Sequence, residues 1–179
     1  YLMFRDPADD IDADSTAVSG TDGAEAAGKR KDANVAVDTE DDAVRKAEVL
    51  LSPLEGEVVL LAEVNDPTFA EEILGKGVAV RPVGGRVCAP ADGRLVSVFE
   101  TGHAFGMITD HGAEVLVHVG LDTVNLKGKY FTVKKAAGDT VKAGDVILEF
   151  DADAIKAEGY DVITPVVISN HFGYEAVET

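Results

Sequence analysis

Two histidines, His103 and His118, stand on either side of a turn-forming run, Thr109-Asp110-His111-Gly112, within residues 101–124 (TGHAFGMITDHGAEVLVHVGLDTV). A neutral imidazole nitrogen is a good nucleophile at physiological pH and is readily regenerated, so it can hold a group covalently between two acceptors. A second imidazole beside it can donate a hydrogen bond to an anionic group arriving there. A single histidine in a strand is more often a satisfied core residue. Two in one hairpin, each followed by small or apolar residues, shift the balance towards chemistry.

Positioning two imidazoles in this way requires extended segments. Residues 113–119 are apolar at almost every position, the pattern of a strand covered on both faces. Similar signals recur at 58–61, 78–81, 86–89, 94–99, 105–109, 130–134, 146–150 and 163–169, punctuated by glycine, proline and aspartate. Many short strands of this kind predict an all-β fold, an antiparallel β-sandwich or barrel-like domain. One or two short helices accompany it. Asp66 is a natural N-cap for a helix over 67–74, with Pro67 at the first position and Gly75 as its stop; 153–158 ends at Gly159 in the same way. The phrases PLEGEVV at 53–59 and PADGRLV at 90–96, with a looser echo at 136–147, form a weak internal repeat that suits a fold assembled from similar β units.

The chain has 179 residues, enough for one ordinary domain with a sizeable core plus a tail. Its formal net charge of −17 argues against a nucleic-acid partner, whose phosphates need a basic surface, and suits a basic protein partner. The one cysteine, Cys88, excludes an intramolecular disulfide framework and points to a reducing compartment; its setting reads as small core residue rather than nucleophile. No apolar run approaches the roughly 20 residues of a membrane helix, so direct membrane insertion of this segment is not expected. Residues 1–50 read as an acidic, disordered linker preceding a domain at 51–179, because the Asp-, Ala- and Gly-rich stretch cannot bury enough surface to offset its ordering entropy. Within it, 39–51 carries weak helix-start and helix-stop signals, and Tyr1-Leu2-Met3-Phe4-Arg5 reads as the exit from a hydrophobic segment or as an artefact.

Taken together, PLEG at 53–56, FAEEILGKG at 69–77, APADG at 89–93, VFETGHAF at 98–105, VLVHVGLDTVNLKG at 115–128, GDTVKAGD at 138–145 and ITPVVISN at 163–170 resemble the glucose-type IIA domain of the bacterial phosphoenolpyruvate-dependent sugar phosphotransferase system. The resemblance covers about residues 52–170. It implies that His118, in the V-H-x-G-[IL]-D-T-V phrase, accepts phosphate from the phosphocarrier HPr and passes it to a cysteine of a IIB domain. It implies that His103, in the ETxHA phrase, supports the phosphate and that Thr101 supplies a hydroxyl in the same site. No cofactor is implied and no metal is required, although His103 and His118 suit an adventitious zinc ion. Such transfer is mostly positioning and electrostatic stabilisation, with one nitrogen of His118 as nucleophile and the other fixed by a backbone carbonyl.

A docking face should surround the pair. Phe69, Ile73, Leu74, Phe99, Phe105, Leu116 and Val124 are candidates for an apolar rim, and Asp66, Glu100 and Asp122 for attracting a basic partner, with Asp122 alternatively capping the turn at 120–123. The partners implied are HPr and the IIB and IIC domains of a sugar permease. The linker and the opening residues suggest the C-terminal IIA part of a multidomain permease, cytoplasmic and tethered to the membrane through an upstream domain. A free-standing regulatory IIA protein is the alternative. In this family the membrane domain, not the phosphate carrier, selects the sugar.

Two rivals are weaker. A zinc hydrolase-like β domain would use His103, His118 and a carboxylate such as Asp122, but the His-x-His pair of lysostaphin-type peptidases is absent from the sequence. A biotinyl or lipoyl carrier would need a hairpin-tip lysine after GDTVKAGDVI, and EFDAD at 149–153 offers none. His111 reads as solvated, and His171 has no assigned role. Departures from the family pattern are Val119 and Leu116 at positions often aromatic, and the stretch after Asn170, which suggests a missing edge strand.

Overall fold

The structure, a computed structural model, describes residues 2–5, 47–174 and 176–178. Residues 6–46, most of the expected linker, lie outside the described residues, as does most of the helix signalled over 39–51. Where that helix would end, the chain is instead a short strand. Glu48 and Leu50 are buried while Val49 and Leu51 are exposed, a period of two, and the Leu51 N–H donates to the Pro90 carbonyl at 2.9 Å rather than to its own segment. The packed chain therefore includes Glu48 and Leu50, just before the expected boundary at 51.

Among the described residues thirteen strands are formed: β1 (Leu2–Arg5), β2 (Val49–Leu50), β3 (Gly56–Leu60), β4 (Lys76–Pro82), β5 (Arg86–Cys88), β6 (Gly93–Val98), β7 (Ala104–Thr109), β8 (Glu114–His118), β9 (Phe131–Val133), β10 (Thr140–Val141), β11 (Val146–Phe150), β12 (Thr164–Ile168) and β13 (Ala176–Glu178). Two short helices join them, α1 (Pro67–Ala70) and α2 (Ala152–Ala157). The central sheet runs β10-β6-β7-β8-β12-β4-β3, with smaller sheets β5-β11-β9 and β13-β1-β2, and every pairing is antiparallel. This is the expected all-β class. The stretch after Asn170, expected to lack a further strand, forms β13, which pairs with β1 in the register Met3 to Glu178.

The central sheet is covered on two sides. Phe105, Met107, Val115 and Val117 face the main core, where they meet Val87 of β5 and Ile147, Leu148 and Phe150 of β11, making the sandwich. On the other face Val59, Ala79 and Val167 pack under Leu61, Val64 and Phe69, contributed by a 3-10 turn (Leu61–Glu63), the residue that follows it and α1. All five residues of β12 are buried for this reason.

Both expected helices form, with shifted limits. Asp66 caps α1 by accepting from the Thr68 N–H at 2.8 Å, but regular helix stops at Ala70, and Glu72 turns left-handed (φ 55°). Gly75 then passes so close to β12 that a Cβ would lie 2.2 Å from the Ile168 carbonyl oxygen. The second helix begins earlier than expected, capped by Asp151, whose carboxylate accepts from the Ala154 N–H at 2.9 Å.

Candidate functional site

The two histidines meet because β7 and β8 are paired in a register that sets Ala104 opposite His118. His103 immediately precedes β7, and the Val119 N–H donates to its carbonyl at 2.7 Å, zipping the strand ends together. Before it, 99–104 closes on itself: the Phe99 N–H donates to the Ala104 carbonyl and the Gly102 N–H to the Phe99 carbonyl. Along β8 the side chains alternate, so Val115 and Val117 enter the main core while Leu116 and His118 take the opposite face. The rings of His103 and His118 lie 5.0 Å apart, centroid to centroid, at 79°. Phe99 stands 5.1 Å from the His103 ring and Phe69, from α1, 5.4 Å from His118.

Each imidazole has one nitrogen committed. His118 Nδ1 lies 2.8 Å from the Gly120 carbonyl oxygen. A carbonyl can only accept, so Nδ1 carries the proton and Nε2 keeps its lone pair. His103 Nδ1 is 2.5 Å from the Thr101 hydroxyl. His103 is only 5% exposed, and burial, helped by the nearby charge His118 would carry, lowers its pKa from 6.5 to about 4. Burial also lowers the pKa of His118, opposed by its bond to Gly120 and by the carboxylates of Asp66 and Asp122. At neutral pH both rings are therefore uncharged: one presents a nucleophilic nitrogen, the other a polar group a few ångströms away, in a setting walled by two phenyl rings. This arrangement can accept and hold an electrophilic group.

The surround differs in part from expectation. Ile73, Leu74, Phe99 and Val124 are exposed and Leu116 is half-buried. Phe105 is a correction. It is fully buried in the main core, because alternation along β7 turns it away from the face that carries His118. Phe69 is a second: at 4% exposure it offers no rim surface and packs within the outer-face cluster against the His118 ring. Asp122 is exposed and its side chain makes no cap bond, although the 3-10 turn (Thr123–Leu126) starts directly after it. Glu100 is exposed. Cys88 is half-buried with its thiol pushed up by burial, which suits a packing role. Among the described residues no three His, Cys, Asp or Glu side chains gather as a metal site, so His103, His118 and Asp122 do not form the set that the hydrolase rival needs.

Sequence reasoning expected a backbone carbonyl to fix one nitrogen of His118 but gave neither Gly120, which supplies it, nor Thr123 a role. Gly120 has φ 73°, which lets its carbonyl turn back to the ring two residues earlier. A glycine two places after the candidate nucleophile was the available signal. Thr123 is fully buried and donates to the Val119 carbonyl at 2.5 Å.

Residues 48–174 match the family described as phosphoenolpyruvate-dependent sugar phosphotransferase system, EIIA 1. A beta-glucoside-specific EIIBCA component of Dickeya chrysanthemi is 55% identical over 131 residues, which is 73% of this chain and 21% of that protein. The chain thus spans about a fifth of the length of the EIIBCA relatives it matches. A glucose-specific EIIA component of Oceanobacillus iheyensis is 46% identical over 121 residues, 68% of this chain and 73% of that protein. Among solved structures, the glucose permease IIA from Mycoplasma capricolum superposes with a TM-score of 0.66 at 36% identity, covering 68% of this chain and 79% of that one.

Proposed function

The chain belongs to the EIIA 1 family of the phosphoenolpyruvate-dependent sugar phosphotransferase system, and from that premise we propose that it relays phosphate through His118. The observation that carries the reading is the bond between His118 Nδ1 and the Gly120 carbonyl, which leaves Nε2 as the ring's lone-pair nitrogen. In the transfer, the Nε2 lone pair forms a new N–P bond as the N–P bond of phosphorylated HPr breaks and its electron pair returns to the donor imidazole. In the next step the P–Nε2 bond breaks as a cysteine thiolate of a IIB domain forms its S–P bond. The proton on Nδ1 stays in place throughout, so no acid or base is needed.

His103 stabilises the phosphoryl group. With the Thr101 hydroxyl donating to His103 Nδ1, His103 Nε2 carries the proton and can donate it to a phosphoryl oxygen. Because its charged form is suppressed, His103 donates as a neutral group and adds no cation that would trap the phosphate. Phe99, Val124, Ile73 and Leu74 supply exposed apolar surface for docking, and Asp66 and Asp122 place negative charge beside the nucleophile for basic partners.

Similarity to the EIIBCA component of Dickeya chrysanthemi supports the further reading that this is the IIA part of a multidomain permease, working at the cytoplasmic face of the membrane with its own IIB and IIC domains.

The test is phosphorylation by phosphoenolpyruvate, enzyme I and HPr, read by intact mass. One acid-labile phosphate is expected on the parent chain, none on His118→Ala, and slow acceptance with impaired onward transfer on His103→Ala. Phosphate on folded His118→Ala would refute the acceptor assignment. Equal, complete loss in both variants would refute the division of labour.

A further inference from the structure

We propose that Thr123 is a positioning residue that fixes the tautomer of His118, acting with the backbone of Asp161 as a clamp on the 119–121 turn. The inference deepens the phosphoacceptor reading above and rests on it. The turn's polar groups are bound one after another. The Val119 N–H donates to the His103 carbonyl, and the Val119 carbonyl accepts from the buried Thr123 hydroxyl. The next peptide points its carbonyl at His118 Nδ1, while its N–H, on Leu121, donates to the Asp161 carbonyl at 2.9 Å. Asp161 is itself pinned, its carboxylate accepting from the Ile163 N–H at 2.8 Å.

The clamp is steric as well as polar. A Cβ built on Gly120 would lie 2.6 Å from the Asp161 carbonyl oxygen and 2.6 Å from the Thr123 methyl group, so both partners close in on the glycine and leave its peptide little room to turn. This bears on chemistry because the Gly120–Leu121 peptide has two faces. In the observed orientation it presents an acceptor and holds the proton on Nδ1. Flipped, it would present an N–H donor to Nδ1, and the proton would move to Nε2, removing the lone pair that attacks phosphorus. Thr123 thus touches neither phosphate nor partner, and acts through His118.

Thr123→Val keeps the shape and removes the hydroxyl, whereas Thr123→Ser keeps the hydroxyl and removes the methyl group. The measurements are the His118 ring tautomer by long-range 15N–1H NMR, which is independent of any transfer, and the rate of phosphate acceptance from phosphorylated HPr. In Thr123→Val the tautomer is expected to become mixed and acceptance to slow roughly tenfold, the scale of one buried hydrogen bond. Thr123→Ser, which keeps the hydrogen bond to the Val119 carbonyl, should stay nearer the parent tautomer than Thr123→Val. If Thr123→Val fails to fold, Asp161→Ala, which keeps the backbone carbonyl but removes the carboxylate that pins it through the Ile163 N–H, should move the tautomer in the same direction. A folded Thr123→Val, or in its place Asp161→Ala, whose His118 stays wholly protonated on Nδ1 overturns the proposal, whatever its rate. A parent chain that takes no phosphate at all would refute the carrier reading instead, leaving the tautomer measurement to decide the clamp.

Discussion

Acidification should cost this domain a measurable share of its stability through one side chain, His103. Its pKa falls from 6.5 to about 4 on folding because burial withholds water from the charged ring and His118 stands beside it. In the window between those values the unfolded chain binds a proton that the folded chain does not. The sign follows: the stability is present in full above 6.5 and is lost as pH falls towards 4. A depression of that size is worth on the order of 3 kcal/mol, against a total of about 5–15 kcal/mol for an ordinary domain. Carboxylates titrate in the same range, so the test compares the parent with His103→Asn, which lacks the imidazole but keeps an amide to meet Thr101. Urea denaturation at a series of pH values should show the parent losing about 3 kcal/mol more than the variant between neutrality and the lower limit. Parallel stability–pH curves would refute the argument, as would an NMR titration of the His103 ring with a midpoint at or above 6.5.

Three other outcomes follow from the structure. Glu48, buried where the chain enters the domain, accepts from the Thr109 hydroxyl at 2.8 Å and has its pKa raised, chiefly by burial. Its stabilising contribution is therefore full at low pH and lost as pH rises through the folded pKa, so Glu48→Gln should gain stability at neutral pH and flatten that dependence in denaturation curves. Phe69→Ala should cost about 3–5 kcal/mol as a cavity in the outer cluster, and by admitting water it should raise the His118 midpoint in an NMR titration. Phe99 and Val124, each 46% exposed, should behave oppositely: serine at both should change stability by no more than about 0.5 kcal/mol per site yet weaken binding to phosphorylated HPr in a titration.

The strand positions, the all-β class and the pairing of His103 with His118 were legible in the sequence because they are local. Alternation, glycine punctuation and a turn between two histidine phrases are written within a few residues of one another. The weak helix signals over 39–51, set second there to the linker reading, are not met at their described end, since composition reports the tendency of an isolated segment whereas Leu51 finds the Pro90 carbonyl far along the chain.

Burial is a property of the assembled sheet. Phe69, Phe99 and Phe105 look alike in the sequence as aromatic candidates for the docking rim, but Phe105 enters the main core, Phe69 seals the outer cluster, and Phe99 remains on the surface. The sequence by itself determined which residues could do the chemistry. Only the tertiary structure decided their state, because the charge and tautomer of each imidazole depend on groups brought to it by folding: Phe69 over His118, the Gly120 carbonyl on Nδ1, and behind that carbonyl the Asp161 carbonyl from the far end of the domain.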